Sequence, residues 1–284
     1  KKETAMKTIY YNGAVYTGTL PLEEAFAVEN GRFLFAGTNE EAKALAADND
    51  RLIDLGGRFV CSGFNDSHMH LLNYGNALHS ALLSEHTGSL KDLKECFRSF
   101  MKAHPPKGNA WVIGRGWNQD YFSDVDRMPN RYDLDEISKD VPICATRACG
   151  HCMVVNSKAL EAAGITTDTP QPEGGRIGIE NGELDGRLFD NAMSFIHKAI
   201  PSPDKEQLKS MLISAIKKLN SYGITSCQTD DYKVFQNVPW QTVNEAFHEL
   251  EAEGALTVRI YEQSNFHTPE SLREFVESGN KTGT

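Results

Sequence analysis

His68 and His70 stand two residues apart in the stretch Gly63-Phe64-Asn65-Asp66-Ser67-His68-Met69-His70. Read as the end of a strand, period-two alternation sends both imidazoles to the same face. Neutral imidazole is a common ligand for zinc and related divalent ions, so a pair on one face can act as a metal clamp. A bare His-x-His also arises by chance, and the surroundings have to decide between the two. Asp66, two positions before His68, falls on that face as well. It is either a carboxylate supporting the ligands from behind or a plain strand-end acid.

A metal clamp needs a rigid frame, and 284 residues suffice for one large domain or two smaller ones. Hydrophobic content of 40% and charged content of 24% describe an ordinary globular protein. The formal charge of −10, from 29 basic and 39 acidic residues, argues against nucleic acid or an anionic membrane as partner. No stretch approaches the roughly 20 apolar residues that cross a bilayer, and no signal-peptide pattern opens the chain. Six scattered cysteines, mostly inside apolar runs, suit buried thiols in a reducing cytoplasm better than a disulfide scaffold.

Ahead of the histidines, residues 9–16, 25–29 and 32–37 read as strands, with Asn30-Gly31 as a two-residue type I′ hairpin turn. Residues 40–47 read as a brief helix, and residues 52–55 and 58–61 as a second strand pair around Gly56-Gly57. The stretch from about 76 to 200 is mixed and turn-rich, with a helix over 90–103 and strands over 110–114 and 141–145. Beyond residue 200 the rhythm is regular. Ser202-Pro203-Asp204 opens a helix that stops at Gly223, a strand follows over 224–227, and a helix runs from Trp240 towards Gly254. A strand over 256–263 and a helix opened by Thr268-Pro269 complete the series. Alternating helix and strand is the sign of a parallel α/β sheet or barrel.

The stretch from Asp54 to His70 resembles the amidohydrolase superfamily, whose members carry a β layer and then a Gly-Phe-x-Asp-x-His-x-His strand opening a (β/α)8 barrel. Trp111-Val112-Ile113-Gly114-Arg115-Gly116-Trp117-Asn118-Gln119 is similar to its family 3, the branch of the N-substituted formamide deformylases and YtcJ-like enzymes. So are Gly150-His151, Val155-Asn156-Ser157-Lys158-Ala159-Leu160, Asp190-Asn191-Ala192-Met193 and Gly223-Ile224-Thr225-Ser226. The resemblance implies an α/β fold: part of a TIM-like barrel with an N-terminal β-sandwich layer and a large insertion after strand one. Residues 1–62 would belong to the composite sandwich. Residues 63–284 would hold barrel strands one to three, with the inserted subdomain at about 76–200. It implies His68 and His70 as metal ligands, Asp66 behind them, and a divalent metal, zinc first, activating water against a small amide or formamide-type C–N bond. The remaining ligands and the general base come from strands four to eight in that family, so no catalytic residue is assignable within this chain. The chain reads as the N-terminal portion of a longer enzyme. Its open strand edges call for a partner surface that covers them, or for a fragment that settles into something other than a barrel, and a homodimer is a separate expectation.

The resemblance also places His151 towards the substrate, and Trp117, an aromatic residue after a strand, is read as a substrate wall. Against that, a Trp after a strand is often core, and a His after Gly is often a surface or capping residue. Cys149-Gly150-His151-Cys152 is a rival signal, because Cys-x-x-Cys at a helix N-terminus does thiol–disulfide chemistry. Ala148 stands where such redox folds usually carry Trp, and no matching βαβ layout precedes it. Cupins need a Glu about four residues after the pair, where Asn73 and Tyr74 stand, and PHP-type phosphoesterases place His-x-His near the N-terminus without a preceding β layer. A metal-free binding or structural module is the remaining alternative.

Overall fold

Asn30 and Gly31 both take positive φ, 51° and 72°, and so join two antiparallel strands through the expected type I′ turn. The computed structural model describes residues 6–235 and 237–280, which divide into two units at Asn65/Asp66. In the first unit, β1 (Thr8–Tyr11), β3 (Ala25–Glu29), β4 (Arg32–Gly37) and β5 (Arg51–Asp54) form a sheet in the order β4-β3-β1-β5. A separate two-stranded sheet pairs β2 (Ala14–Val15) with β6 (Phe59–Val60). The predicted pairing of 52–55 with 58–61 is therefore corrected. Gly56 and Gly57 turn the chain, but β5 runs parallel to β1 and β6 parallel to β2. The helix α1 (Asn39–Ala44) starts at a Thr38–Glu41 capping box.

The second unit opens with β7 (Phe64–Met69), whose first two residues lie before the division, and α2 (Leu71–Leu78). Then come β8 (Ala81–Leu82), α3 (Leu90–Ala103), β9 (Val112–Trp117), α4 (Arg131–Asp135), β10 (Ile143–Arg147) and β11 (Cys152–Val155). They are followed by α5 (Ser157–Ala162), β12 (Gly175–Glu180), β13 (Glu183–Asp190) and α6 (Met193–Ala199). The stretch that reads as mixed and turn-rich thus holds a six-stranded sheet, in the order β12-β13-β11-β10-β9-β8. Its β8, β9 and β10 are parallel, and the rest pair antiparallel.

The regular part follows: α7 (Lys205–Ser221), β14 (Ile224–Thr229), α8 (Trp240–Ala252), β15 (Arg259–Glu262) and α9 (Pro269–Glu277). Asp204 caps α7 and accepts from Gln207 N, so the helix begins where the Ser-Pro-Asp signal puts it. Leu208, Leu212, Ala215, Ile216 and Leu219 line its buried face and pack with Leu71, Leu72, Val243, Phe247 and Leu250. The three strands bond in the order β15-β14-β7, with β14 and β15 parallel. Among the described residues β7 and β15 bond to no strand but β14, and Phe64 and Tyr261 are exposed. No helix among them is long and apolar enough to cross a membrane.

Candidate functional site

Met69 packs against the apolar core of its unit, so strand alternation turns the residues on either side of it outward. The His68 and His70 rings lie side by side, centroids 5.1 Å apart and planes at 80°. Both side chains are exposed. His70 follows the last strand residue, Met69, and occupies the N-cap position of α2, yet its ring does not cap the helix. Its Nδ1 bonds instead to Asp230 Oδ1, just past the C-terminal end of β14. No described hydrogen bond engages the His68 ring. Asp66 Oδ1 accepts from the His68 backbone N–H at 3.1 Å, so this carboxylate braces the strand that carries the pair.

The helix that follows is capped from across the sheet. Thr229 Oγ1 accepts from Leu71 N at 2.8 Å, and Asp231 Oδ1 accepts from Leu72 N at 2.9 Å. These bonds meet N–H groups that would otherwise be orphaned in the first turn of α2. They also set the C-terminal ends of β7 and β14 beside one another. Glu262 Oε1, at the end of β15, accepts from Asp231 N at 2.7 Å, and the N–H of the next residue, Gln263, donates to Thr229 O at 2.6 Å. Burial pushes the Glu262 carboxyl up to about 9, helped by the charge of Asp231, and burial pushes Asp231 up to about 6.

The side chains present suit part of a metal site. A His whose Nδ1 is committed to a carboxylate is a common arrangement behind a ligating Nε2. Two neighbouring imidazoles offer two ligands, and among the described residues no group of three or more His, Cys, Asp or Glu is arranged to hold an ion.

The other expected residues lie elsewhere. Trp117 is fully buried, its indole N–H donating to Ala145 O at 2.9 Å, in a core with Phe97, Leu134 and Ile143. The expectation that it walls a substrate is corrected: its apolar ring fills the inserted subdomain. His151 is exposed, on the turn between β10 and β11, with Nδ1 bonded to Asp190 Oδ1 at 3.1 Å. Cys149 and Cys152 flank it as free thiols. They sit on an antiparallel hairpin, not at the helix N-terminus that a dithiol redox motif uses. Asp230 carried no site role in the sequence. Its one signal there was its place after a barrel-like strand, where sites gather.

The chain has the fold of solved metal-dependent hydrolases. The structure of an uncharacterized metal-dependent hydrolase from Pyrococcus furiosus matches 96% of this chain and 52% of its own, with a TM-score of 0.70 at 26% identity. That of its counterpart from Pyrococcus horikoshii OT3 matches 96% and 51%, with a TM-score of 0.70 at 24% identity. The profile of the amidohydrolase family matches residues 51–283, and the chain belongs to that family. The amidohydrolase-family protein YtcJ of Bacillus subtilis (strain 168) is 35% identical over 243 residues, 82% of this chain and 44% of that one. N-substituted formamide deformylase of Arthrobacter pascens is 32% identical over 178 residues, 62% of this chain and 32% of that one. The chain therefore spans less than half the length of these two relatives.

Proposed function

We propose that the full-length protein hydrolyses a small amide or formamide-type C–N bond with a divalent metal, zinc first, held in part by His68 and His70. The observation that carries this reading is the pair of adjacent imidazole rings at the C-terminal end of β7, in a chain of the amidohydrolase family. The formamide deformylase relative supports the choice of bond. A bound divalent metal supplies Lewis-acid polarisation and lowers the pKa of water towards about 7. His68 and His70 offer the lone pairs, Asp66 stiffens their strand and Asp230 holds the Nδ1 proton of His70. The base that accepts a proton from water, and the acid that returns it to the departing amine, lie outside this chain in the proposal. We assign β7, β14 and β15 to the first three strands of a (β/α)8 barrel, with the six-stranded subdomain inserted between the first two. On this reading His151 faces the substrate from that subdomain. The six free thiols support a reducing, cytoplasmic setting.

The test is metal content and hydrolysis of an N-substituted formamide by the full-length enzyme. His68→Ala should lower bound metal to background and reduce kcat/KM by about 1,000-fold or more, roughly 4 kcal/mol of transition-state stabilisation. Wild-type metal content in that variant would end the assignment.

A further inference from the structure

Three consecutive residues at the end of β14 reach three consecutive residues after β7: Thr229 meets Leu71 N, Asp230 meets the His70 ring, and Asp231 meets Leu72 N. We infer that Thr229 and Asp230 are positioning residues for His70, Thr229 fixing its backbone and Asp230 its ring tautomer. The consequence for metal affinity rests on reading His70 as a ligand.

Successive side chains of an extended segment point to opposite sides, so 229 and 231 share one side and 230 takes the other. Thr229 and Asp231 are fully buried, as are Leu71 and Leu72. Their hydrogen bonds are therefore shielded from competing water, and losing one leaves a buried N–H unpaired. The triplet is itself pinned from β15 through Glu262 and Gln263. Together these bonds leave the backbone entering α2 little freedom, and His70 is the residue at that entry.

Asp230 acts on the ring. An ionised carboxylate accepts but cannot donate, so a neutral His70 bonded to it carries its proton on Nδ1. A free histidine side chain prefers the other form, with the proton on Nε2. The carboxylate thus inverts the ordinary preference and leaves the Nε2 lone pair free, the atom available to a cation. His68 has no such partner among the described residues, so its tautomer is not set this way.

The metal-free full-length enzyme, labelled with nitrogen-15 in its histidine rings, can be read by NMR at alkaline pH, where imidazoles are neutral. His70 should show the Nδ1–H tautomer in wild type and in Thr229→Val, and the Nε2–H tautomer in Asp230→Ala. Zinc affinity, measured by chelator competition, should fall about 10- to 100-fold in Asp230→Ala. It should fall about 5- to 10-fold in Thr229→Val, whose tautomer is intact. An Nε2–H tautomer at His70 in wild type, or an unchanged tautomer in Asp230→Ala, would overturn the role of Asp230. Full zinc affinity in Thr229→Val would overturn that of Thr229. The tautomer measurement needs no metal. If His68→Ala and His70→Ala bind zinc as wild type does, the ligand reading fails while the tautomer of His70 still decides the inference.

Discussion

Asp231 and Glu262 are acids withdrawn from water at the ends of neighbouring strands, and each keeps one buried carboxylate oxygen without a hydrogen-bond partner among the described residues. Burial raises both above their ordinary values of 3.8 and 4.5, to about 6 and about 9. The unfolded chain gives up these protons near the ordinary values, whereas the folded chain holds them longer. Over that interval the folded state binds more protons, so stability falls as pH rises, until it levels off above about 9. Asp230, Asp231 and the Tyr232 N–H face Glu262 from the end of β14, and only the amides offset the burial. Glu262→Gln keeps an acceptor for Asp231 N and cannot ionise. Its melting temperature should therefore decline less between pH 6 and 9 than that of the wild type, which a thermal scan across pH would show; identical slopes would refute the account. The same residues show what sequence could and could not reveal. His68 and His70 are legible because strand alternation is local. Asp230 is 160 residues from His70, and its role exists only once two strand ends are adjacent. Trp117 follows the same logic in reverse, since its place in the core depends on which sheet face it turns to.

Helix α2 lies against α7 with Gly75 at the contact, where a Cβ would collide with the Met211 carbonyl. In an open helix, Gly→Ala adds about 1 kcal/mol of stability. Here the backbone approach reverses the sign: Gly75→Ala should cost about 1–3 kcal/mol through displacement of α2. Chemical denaturation measures this, and a stabilised variant would mean the helices are not that close. Because α2 starts at His70, the displacement should also weaken metal binding on the reading proposed for the site. Element boundaries were legible wherever a side chain sets them. Asp204 and Thr268 cap α7 and α9 as their sequences indicate, and α3 spans 90–103 as its apolar spacing indicates. The hairpin of β12 and β13 is poorly legible in the sequence although Asn181-Gly182 carries the same paired positive φ, 54° and 82°, as Asn30-Gly31. Its strands are broken by Gly178 and Gly186, with a register shift between Ile177 and Ile179, so neither shows clean alternation. The parallel pairing of β5 with β1 was equally hidden, because nearness in sequence suggests a hairpin and no local signal argues against it.

The fold as a whole sorts six cysteines into different chemical settings, and this decides between the hydrolase reading and its thiol rival. Cys61 and Cys149 are exposed, Cys96 is half-buried, and Cys144, Cys152 and Cys227 are buried. Burial pushes the last three up to about 12, which leaves almost no thiolate at neutral pH. Cys149 moves the other way: the His151 N–H and then the Arg147 side chain donate to its sulfur and lower its pKa. Arg147 is held in place by Gln119 at 2.8 Å, Asn118 at 2.8 Å and Asp120 at 3.0 Å. The native protein should therefore react with a thiol reagent in steps. Cys149 and Cys61 react first, Cys96 slowly, and the other three only on unfolding. Mass spectrometry of the quenched samples identifies the order. A dithiol redox module would behave differently, since mild oxidation would consume Cys149 and Cys152 together as an internal disulfide. The hairpin opposes that outcome, because Cys152 begins a strand whose side chain is packed in the core of the inserted subdomain. Of this pair, oxidation should consume only the Cys149 thiol and leave Cys152 reduced, with zinc binding by the full-length enzyme unchanged. An internal Cys149–Cys152 disulfide would restore the redox reading.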